Sequence, residues 1–590
     1  ILDDDIIQGA LGDCYFLSAI AALCQFPKLI EKLFFFKEKS EEHCYGVYFN
    51  INGQWELVLV DDMVPCTGRY SKKFAFSSAN GNELWVVLLE KAWAKINGSY
   101  AKVGCGGLPH EVFDVITEAY NEKFDIFPRY ADRIWDGLMR GQEKGFIMTA
   151  GTSCDPNLDT EEVGLVPGHA YTILGIHEVG GERLIHIRNP WGAGEWMGEW
   201  CDTSDKWTPE LREQVGLQEG DKDEGEFFMS FDDYLKYFCM MGICKLHEDY
   251  KYCVNKITRR EVNGPAVSKV TVNSNDVHVY FQLHQKNPRI ILKDGTYQNP
   301  VTTYMLLVDE NYHFIDSVCK SEMSLCIEQT LKKGTYYLVT DINYRYVNNG
   351  KLLGYNISSY ASEEVPIQTV TQTVNPEPII TAAVCEYAKD NITPTKEKGG
   401  AVVSYISKAY SKNWPFVIAY FENKTKNDVT VTFDVTCRGM KSFAFYNDSN
   451  AKDTDSSLAK VIPGNDSGLV LIMNYSFSSL FSFSYGIDCE MDNKALDETL
   501  FAEVPEAIDE DGTINQYVHE ERNGYLIGLE NKKKIKLKMK LEIEGLEFTD
   551  KEFKGKDVCV FEIDKNSKKV FSLTTKKGYY GSINFGFDYA

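Results

Sequence analysis

Three side chains carry most of the chemistry available to this sequence: Cys14, His169 and Asn189. Cys14 follows the turn-forming run Gln8-Gly-Ala-Leu-Gly-Asp and opens an apolar stretch, residues 14–25, that lacks Gly and Pro and predicts a buried helix. A thiol at a helix N-terminus feels the positive end of the macrodipole, which favours thiolate and predicts a reactive sulfur. Gln8, six residues upstream, can turn an amide N–H toward the same point, where an oxyanion would develop. His169 follows Gly168 and leads into the apolar run Ala-Tyr-Thr-Ile-Leu, which places its imidazole at a strand edge. Asn189 lies twenty residues further on, in Ile187-Arg-Asn-Pro-Trp-Gly. Its amide can accept from one ring nitrogen and so fix the tautomer that turns the other toward Cys14. Trp191 can cover that hydrogen bond and keep water from it. Alone, these residues read as a core cysteine, a satisfied core histidine and a turn. Together they form a nucleophile, a base and an orienting amide.

The elements that must position these groups follow from patterning. Residues 47–60 alternate around Asn52-Gly53, the strongest short hairpin signal, and 83–96 predicts a second apolar helix. The Gly-rich run 104–107 reads as a hinge or a turn. Strand signals dominate from 146 to 246, at 146–150, 170–176, 184–188 and 241–245. Beyond Tyr250 short alternating strands such as 277–283, 304–308 and 335–339 predict a β-sandwich, and 363–378 reads as a linker. An internal repeat follows. Glu422-Asn-Lys precedes the strand pattern 429–439, and Glu530-Asn-Lys precedes 535–545 with matching alternation and a terminal Gly. This predicts two related β-sandwiches split near 494–504.

Bulk properties narrow the function classes. At 590 residues the chain holds several domains, and 44% hydrophobic with 25% charged residues is ordinary for a soluble globular protein. A net charge of −24 argues against a phosphate-backbone binder, so no nucleic-acid partner is expected. The 16 Cys have no scaffold or zinc-type spacing; those in apolar runs (Cys24, Cys239, Cys326) are expected to be reduced and buried, which implies a cytoplasmic setting. The start at Ile1, without an initiator Met, implies that the natural N-terminus lies upstream.

Residues 8–17, 164–175 and 187–200 resemble the signature blocks of the calpain family, as do 55–65, 83–100 and 225–246, in order across 1–247. The resemblance implies an α+β papain-like two-lobed protease core followed by all-β sandwich domains. The boundaries expected are 1–105 (Cys lobe), 106–247 (His/Asn lobe), 248–365 (calpain-type β-sandwich-like), 379–494 and 505–590 (related modules). It also implies roles: Cys14 as nucleophile, His169 as general base and acid, Asn189 as orienter, Gln8 in the oxyanion hole with the Cys14 N–H, and Trp191 gating the cleft. Tyr15 departs from the family's usual Trp and predicts altered packing beside the site.

The same resemblance implies Ca²⁺ as activator, one site per lobe. Asp5 and Glu83 match ligands of the first, whose preceding backbone ligands fall before Ile1. Glu195, Asp202, Glu224 and Glu226 match carboxylates of the second, with Lys222 lending a backbone carbonyl. Glu224 stands where Asp is usual. The EF-hand domains of familiar members have no counterpart: 509–512 reads as an exposed turn. The expected function is limited cutting of intracellular proteins, with the β-domains regulating or docking onto a membrane or a regulatory protein. Lys532 to Lys536 read as an edge-strand guard ahead of a membrane contact. Two alternatives stand beside it. Transglutaminase-type acyl transfer usually orients its His with Asp, which Asn189 contradicts. A silenced, calcium- or membrane-responsive scaffold is contradicted by the intact set of four.

Overall fold

The computed structural model describes residues 6–36, 38–68, 73–79, 83–155, 157–217, 225–258, 265–285, 287, 290, 303–342, 354–397, 400–407, 414, 416–438, 443–445, 457–474, 482–490, 500–501, 505–509, 511–521, 524–548, 552–575 and 582–589. The chain is mostly β with a minority of helices and divides into two compact units, 1–305 with 320–371, and 306–319 with 372–590.

In the first unit the helix Cys14–Leu23 is buried on every face after its first residue, as its uninterrupted apolar run requires. The hairpin Cys44–Ile51 and Gln54–Asp61 turns at Asn52 and Gly53, both with positive φ, the conformation that the Asn-Gly pair tolerates best. The helix Trp85–Asn97 packs against this hairpin. The Gly-rich run joins the helices Tyr100–Val103 and Pro109–Ile116.

A six-stranded antiparallel sheet follows, in the order Asn121–Asp125, Phe238–Cys244, Ile147–Thr152, Ala170–Val179, Glu182–Arg188, Glu226–Ser230. The amphipathic helix Ala131–Glu143 covers it with Ile134, Trp135 and Leu138. The helix Cys14–Leu23 packs on the strands Ile147–Thr152 and Ala170–Val179, where Thr172 Oγ1 donates to Ser18 O at 3.1 Å. This contact brings the Cys14 and His169 segments together.

Beyond residue 247 the first unit is all strand in its described residues. Lys251–Ile257, Tyr355–Ala361, Val277–His284 and Ser324–Leu331 form one sheet, and Ala266–Val272 pairs with both Gly334–Ile342 and Ile367–Thr369. The linker expected at 363–378 is therefore corrected. Ile367–Thr369 is a paired strand, and the helix Pro376–Asn391 begins inside the stretch. Asn375 caps that helix by accepting from Glu377 N, with Pro376 at the first helical position, so Pro and Asn mark a helix start there.

The second unit carries one strand arrangement twice. Thr395–Glu397, Val402–Ile406, Phe416–Asn423, Ser467–Asn474 and Phe443–Phe445 form one sheet; Ser457–Ile462, Val429–Arg438 and Ser482–Glu490 form another. Glu506–Ala507, Ile514–Glu521, Gly524–Asn531, Ser567–Thr575 and Leu546–Phe548 reproduce the first order; Val558–Ile563, Leu537–Glu544 and Ser582–Tyr589 reproduce the second. The Glu-Asn-Lys turns correspond in detail. Buried Asn423 donates from Nδ2 to the carbonyls of Asn427, Ile462 and Pro463, and buried Asn531 donates to those of Ile535, Ile563 and Asp564. Most of the split expected at 494–504 lies outside the described residues. The lysines at 532, 533 and 536 form ion pairs with Glu530, Asp509 and Glu562. In the turn beginning at Asp509, Asp511 and Gly512 are exposed as expected, while the Asp509 carboxylate turns inward and accepts from Thr513 N and Ile514 N.

Candidate active site

Asp13 is the N-cap residue of the helix Cys14–Leu23, yet its side chain makes no capping hydrogen bond. It turns inward instead, where Asp13 is 0% and Glu90 1% exposed. Among the described residues neither Asp13 oxygen has a hydrogen-bond donor of good geometry, and a proton shared with the Glu90 carboxyl satisfies it. Burial foremost, then the Glu90 charge, push the Asp13 carboxyl up to about 9. Glu90 is raised as well, by burial, while its Oε1 accepts from Ser77 N at 3.0 Å.

This buried acid pair makes stability fall as pH rises. The unfolded Asp13 loses its proton near 3.8 and the folded one near 9, so the folded chain holds the extra proton throughout that window. Glu90→Gln keeps an acceptor for Ser77 N–H and offers Asp13 a donor. Its melting temperature is expected to vary less than the parent's between about pH 5 and pH 8.5 and to exceed it at the upper end. An unchanged slope would disprove the shared proton.

The Cys14 thiol is raised, by burial first; the backbone N–H groups of Ala170, Tyr15 and Cys14 itself pull the other way. The expected macrodipole effect is thus outweighed by desolvation, because the sulfur sits against the strand beginning at Ala170. That strand also carries the preceding residue, His169, to the same site. Gly168 makes the approach with φ of 60°, and a Cβ there would come within 2.6 Å of Cys154 Sγ. His169 is 4% exposed, and burial lowers its imidazole to about 4 against the opposing effect of Asn189. Burial thus favours thiol over thiolate at Cys14 and the neutral over the protonated ring at His169.

Asn189 fixes the ring. Its Nδ2 donates to Ala193 O at 2.9 Å and Gly194 O at 3.1 Å, so Oδ1 must face His169 Nε2, 2.9 Å away. An oxygen there can only accept, so Nε2 carries the hydrogen and Nδ1 is left as the basic nitrogen. Trp191 N donates to the same Oδ1 at 3.1 Å, and the Trp191 ring lies 4.8 Å from the imidazole while remaining 44% exposed. Gln8 is half-buried; its Nε2 donates to Leu11 O at 2.8 Å, which holds the amide and leaves it a second N–H.

One support was not foreseen from sequence. Thr152 Oγ1 accepts from His169 N at 2.9 Å and donates to Val166 O at 2.6 Å, fixing the histidine backbone. Its only sequence signal was its place at the end of a strand pattern. Tyr15, the departure from the family, is fully accommodated: its hydroxyl donates to Val103 O at 3.3 Å and accepts from Trp93 Nε1 at 3.1 Å.

The calcium ligand sets are only partly placed. Asp5, Lys222 and Glu224 lie outside the described residues. Among the described residues, no group of three or more His, Cys, Asp or Glu is placed to hold a metal ion. Glu83 is exposed near the start of the helix Trp85–Asn97, and Asp202 is buried. Glu195 Oε1 accepts from Gly225 N at 2.9 Å, and Gly225 O accepts from Asn189 N at 2.8 Å, so this acid is tied to the loop that orients the histidine. Glu226 is committed to His186 at 3.3 Å and Arg188 at 3.6 Å, which hold its carboxyl below the usual range. Cys14, Cys24, Cys239, Cys326 and the other cysteines whose side chains are described are free. Cys24 is buried as expected, but Cys239 is exposed and Cys326 half-buried, because the sheet gives each a side that its core does not cover.

The family model described as Calpain family cysteine protease matches residues 1–245. Calpain-type cysteine protease DEK1 of Arabidopsis thaliana is 37% identical over 259 residues, 42% of this chain and 12% of that protein. Calpain-1 catalytic subunit of Bos taurus is 36% identical over 258 residues, 42% of this chain and 35% of that protein. The chain thus spans well under half the length of these relatives.

Proposed function

Residues 1–245 belong to the calpain family of cysteine proteases, and on that premise we propose that the chain is a calcium-dependent endopeptidase making limited cuts in intracellular proteins. The observation that carries the proposal is the fixed amide of Asn189, which leaves Nδ1 as the basic nitrogen of buried His169, the residue before Ala170, whose backbone N–H reaches the Cys14 sulfur. With the thiol raised and the imidazole lowered by the same burial, proton transfer accompanies attack. Cys14 Sγ bonds to the scissile carbonyl carbon as its proton passes to Nδ1. The carbonyl oxygen takes up the negative charge, toward the Cys14 N–H and the remaining Gln8 amide N–H. Nδ1 then returns the proton to the leaving amine, and water hydrolyses the thioester with the same nitrogen as base. The Asn189 orienter favours this reading over acyl transfer to an amine.

Calcium as activator rests on the family and on the hydrogen-bonded path from Glu195 through Gly225 to Asn189. A hard cation drawing on Glu195 would act on the loop that orients His169. The repeated β-modules are read as regulatory or docking domains. The test is casein hydrolysis by the full chain. Cleavage in millimolar calcium and its loss in excess EGTA are expected. Cleavage unchanged in EGTA would remove the calcium dependence, and none under either condition would remove the endopeptidase reading.

A further inference from the structure

A cavity of about 420 Å³ lies in the first unit, lined by residues from the helix Trp85–Asn97, the hairpin strand Cys44–Ile51 and the segment between them and the helix Pro27–Lys32. Cys14, His169 and Asn189 do not line it. Its apolar lining includes Phe34, Tyr45, Trp85 and Leu88. Phe36, also on the lining, is 62% exposed and extends the apolar surface outward. Such a lining is adequate for one large side chain.

Two polar atoms in this lining are left unsatisfied. Tyr45 is 5% exposed, and among the described residues neither its hydroxyl nor the buried Trp85 Nε1 has a hydrogen-bond partner. A buried donor without an acceptor is costly, and the great majority of such groups in native proteins are paired. Both can donate, so the missing partner is an acceptor such as a peptide carbonyl. The charges narrow the ligand further. Among the described residues, Glu31, Glu38 and Glu83 are on the lining with Lys39. That balance disfavours phosphates, nucleotides and carboxylate ligands. It also disfavours a second copy of this chain, whose net charge is −24.

We infer that this cavity is a docking site for an extended peptide segment of a partner protein, one that presents an aromatic or aliphatic side chain flanked by lysine or arginine. The apolar side chain fills the space between Phe34 and Trp85, a backbone carbonyl accepts from Tyr45 and Trp85, and the basic residues meet the three glutamates. The site is independent of the peptidase reading, because it draws on none of the proposed catalytic residues.

The experiment uses the full chain carrying Cys14→Ser, so that no probe is cut, in excess EGTA, so that no calcium competes at Glu83. It is titrated with Ac-Lys-Phe-Leu-Lys-NH2 while the indole N–H resonances of the nine tryptophans are followed by NMR. One resonance, assigned to Trp85 by its loss in Trp85→Phe, is expected to move saturably. Tyr45→Phe deletes a hydroxyl that bonds to nothing in the free chain, so it should leave the melting temperature unchanged yet weaken the probe roughly fivefold. Glu38→Gln, at an exposed position, should weaken it as well, and Ac-Glu-Phe-Leu-Glu-NH2 should not bind. The inference is overturned if the Trp85 resonance stays fixed at millimolar peptide, if the acidic peptide binds equally well, if the shift falls on Trp191 alone, or if Tyr45→Phe binds like the parent.

Discussion

Cys14→Ser is expected to lower peptide hydrolysis by roughly ten-thousandfold or more, the scale on which removal of a nucleophile acts in hydrolases whose residues work as a unit. The substitution is nearly isosteric, so the helix that Cys14 opens should be undisturbed and the melting temperature little changed. The loss is chemical. Burial already holds the Cys14 thiol above its ordinary value and the His169 imidazole down at about 4. A base that weak can accept a thiol proton as attack proceeds, but a hydroxyl proton is far harder to remove. Initial rates on casein, with near-ultraviolet circular dichroism as the control on folding, decide the matter. Activity equal to the parent would end the proposal that Cys14 is the nucleophile.

Asn189→Ala should cost about a hundredfold in kcat, near 2.7 kcal/mol of transition-state stabilisation, with a smaller change in KM. The Asn189 side chain is 0% exposed and every polar atom of it is used. Removing it frees the His169 ring to rotate and to hold its hydrogen on either nitrogen, so the fraction with a basic Nδ1 falls. Asn189→Asp should not restore the rate. A carboxylate could still accept from His169 Nε2, but it would also face the carbonyls of Ala193 and Gly194 with no hydrogen to donate. Steady-state kinetics of both variants on a peptide substrate provide the check, and a kcat within a factor of two or so of the parent in Asn189→Ala would show that the orientation has no catalytic weight.

What could be read from sequence was what is locally encoded. The helix at Cys14, the hairpin at Asn52-Gly53 and the strand after His169 each rest on one short continuous run whose patterning is sufficient in itself. The Glu-Asn-Lys repeat was legible for the same reason, and the structure adds the hydrogen bonds that require its asparagine. What escaped was non-local. Asp13 stood out only as the end of a turn and is half of a buried acid pair, because Glu90, 77 residues along the chain, is folded against it. Thr152 has no motif of its own and acquires a role only when its strand lies beside His169. The stretch 363–378 looked like a linker because its Pro, Thr and Val content was weighed as composition, whereas Asn375-Pro376 should have been weighed as position. The carboxylates assigned to calcium had no informative spacing at all, and in Glu226 the fold shows a carboxylate with partners of its own, His186 and Arg188.

Two copies of one strand arrangement in a single chain create a hazard during synthesis and refolding, since a strand from one copy can be captured by the other before its own sheet is complete. The buried Asn423 and Asn531 do not discriminate, because their bonds are to backbone carbonyls that both copies supply. Discrimination is left to the faces turned away from the core. Between Leu537 and Glu544 those positions include the exposed Lys538, Lys540 and Glu544, whereas the corresponding strand opens with the half-buried Thr430 and Thr432. In the native pairing Thr430 lies opposite Val461 and Glu490, whereas Lys538 lies opposite Glu562 and Asp588, and a swapped strand would leave Lys536 without Glu562. Discrimination between the copies thus rests on outer-face pairs, such as Lys536 with Glu562, that only the strand's own sheet completes.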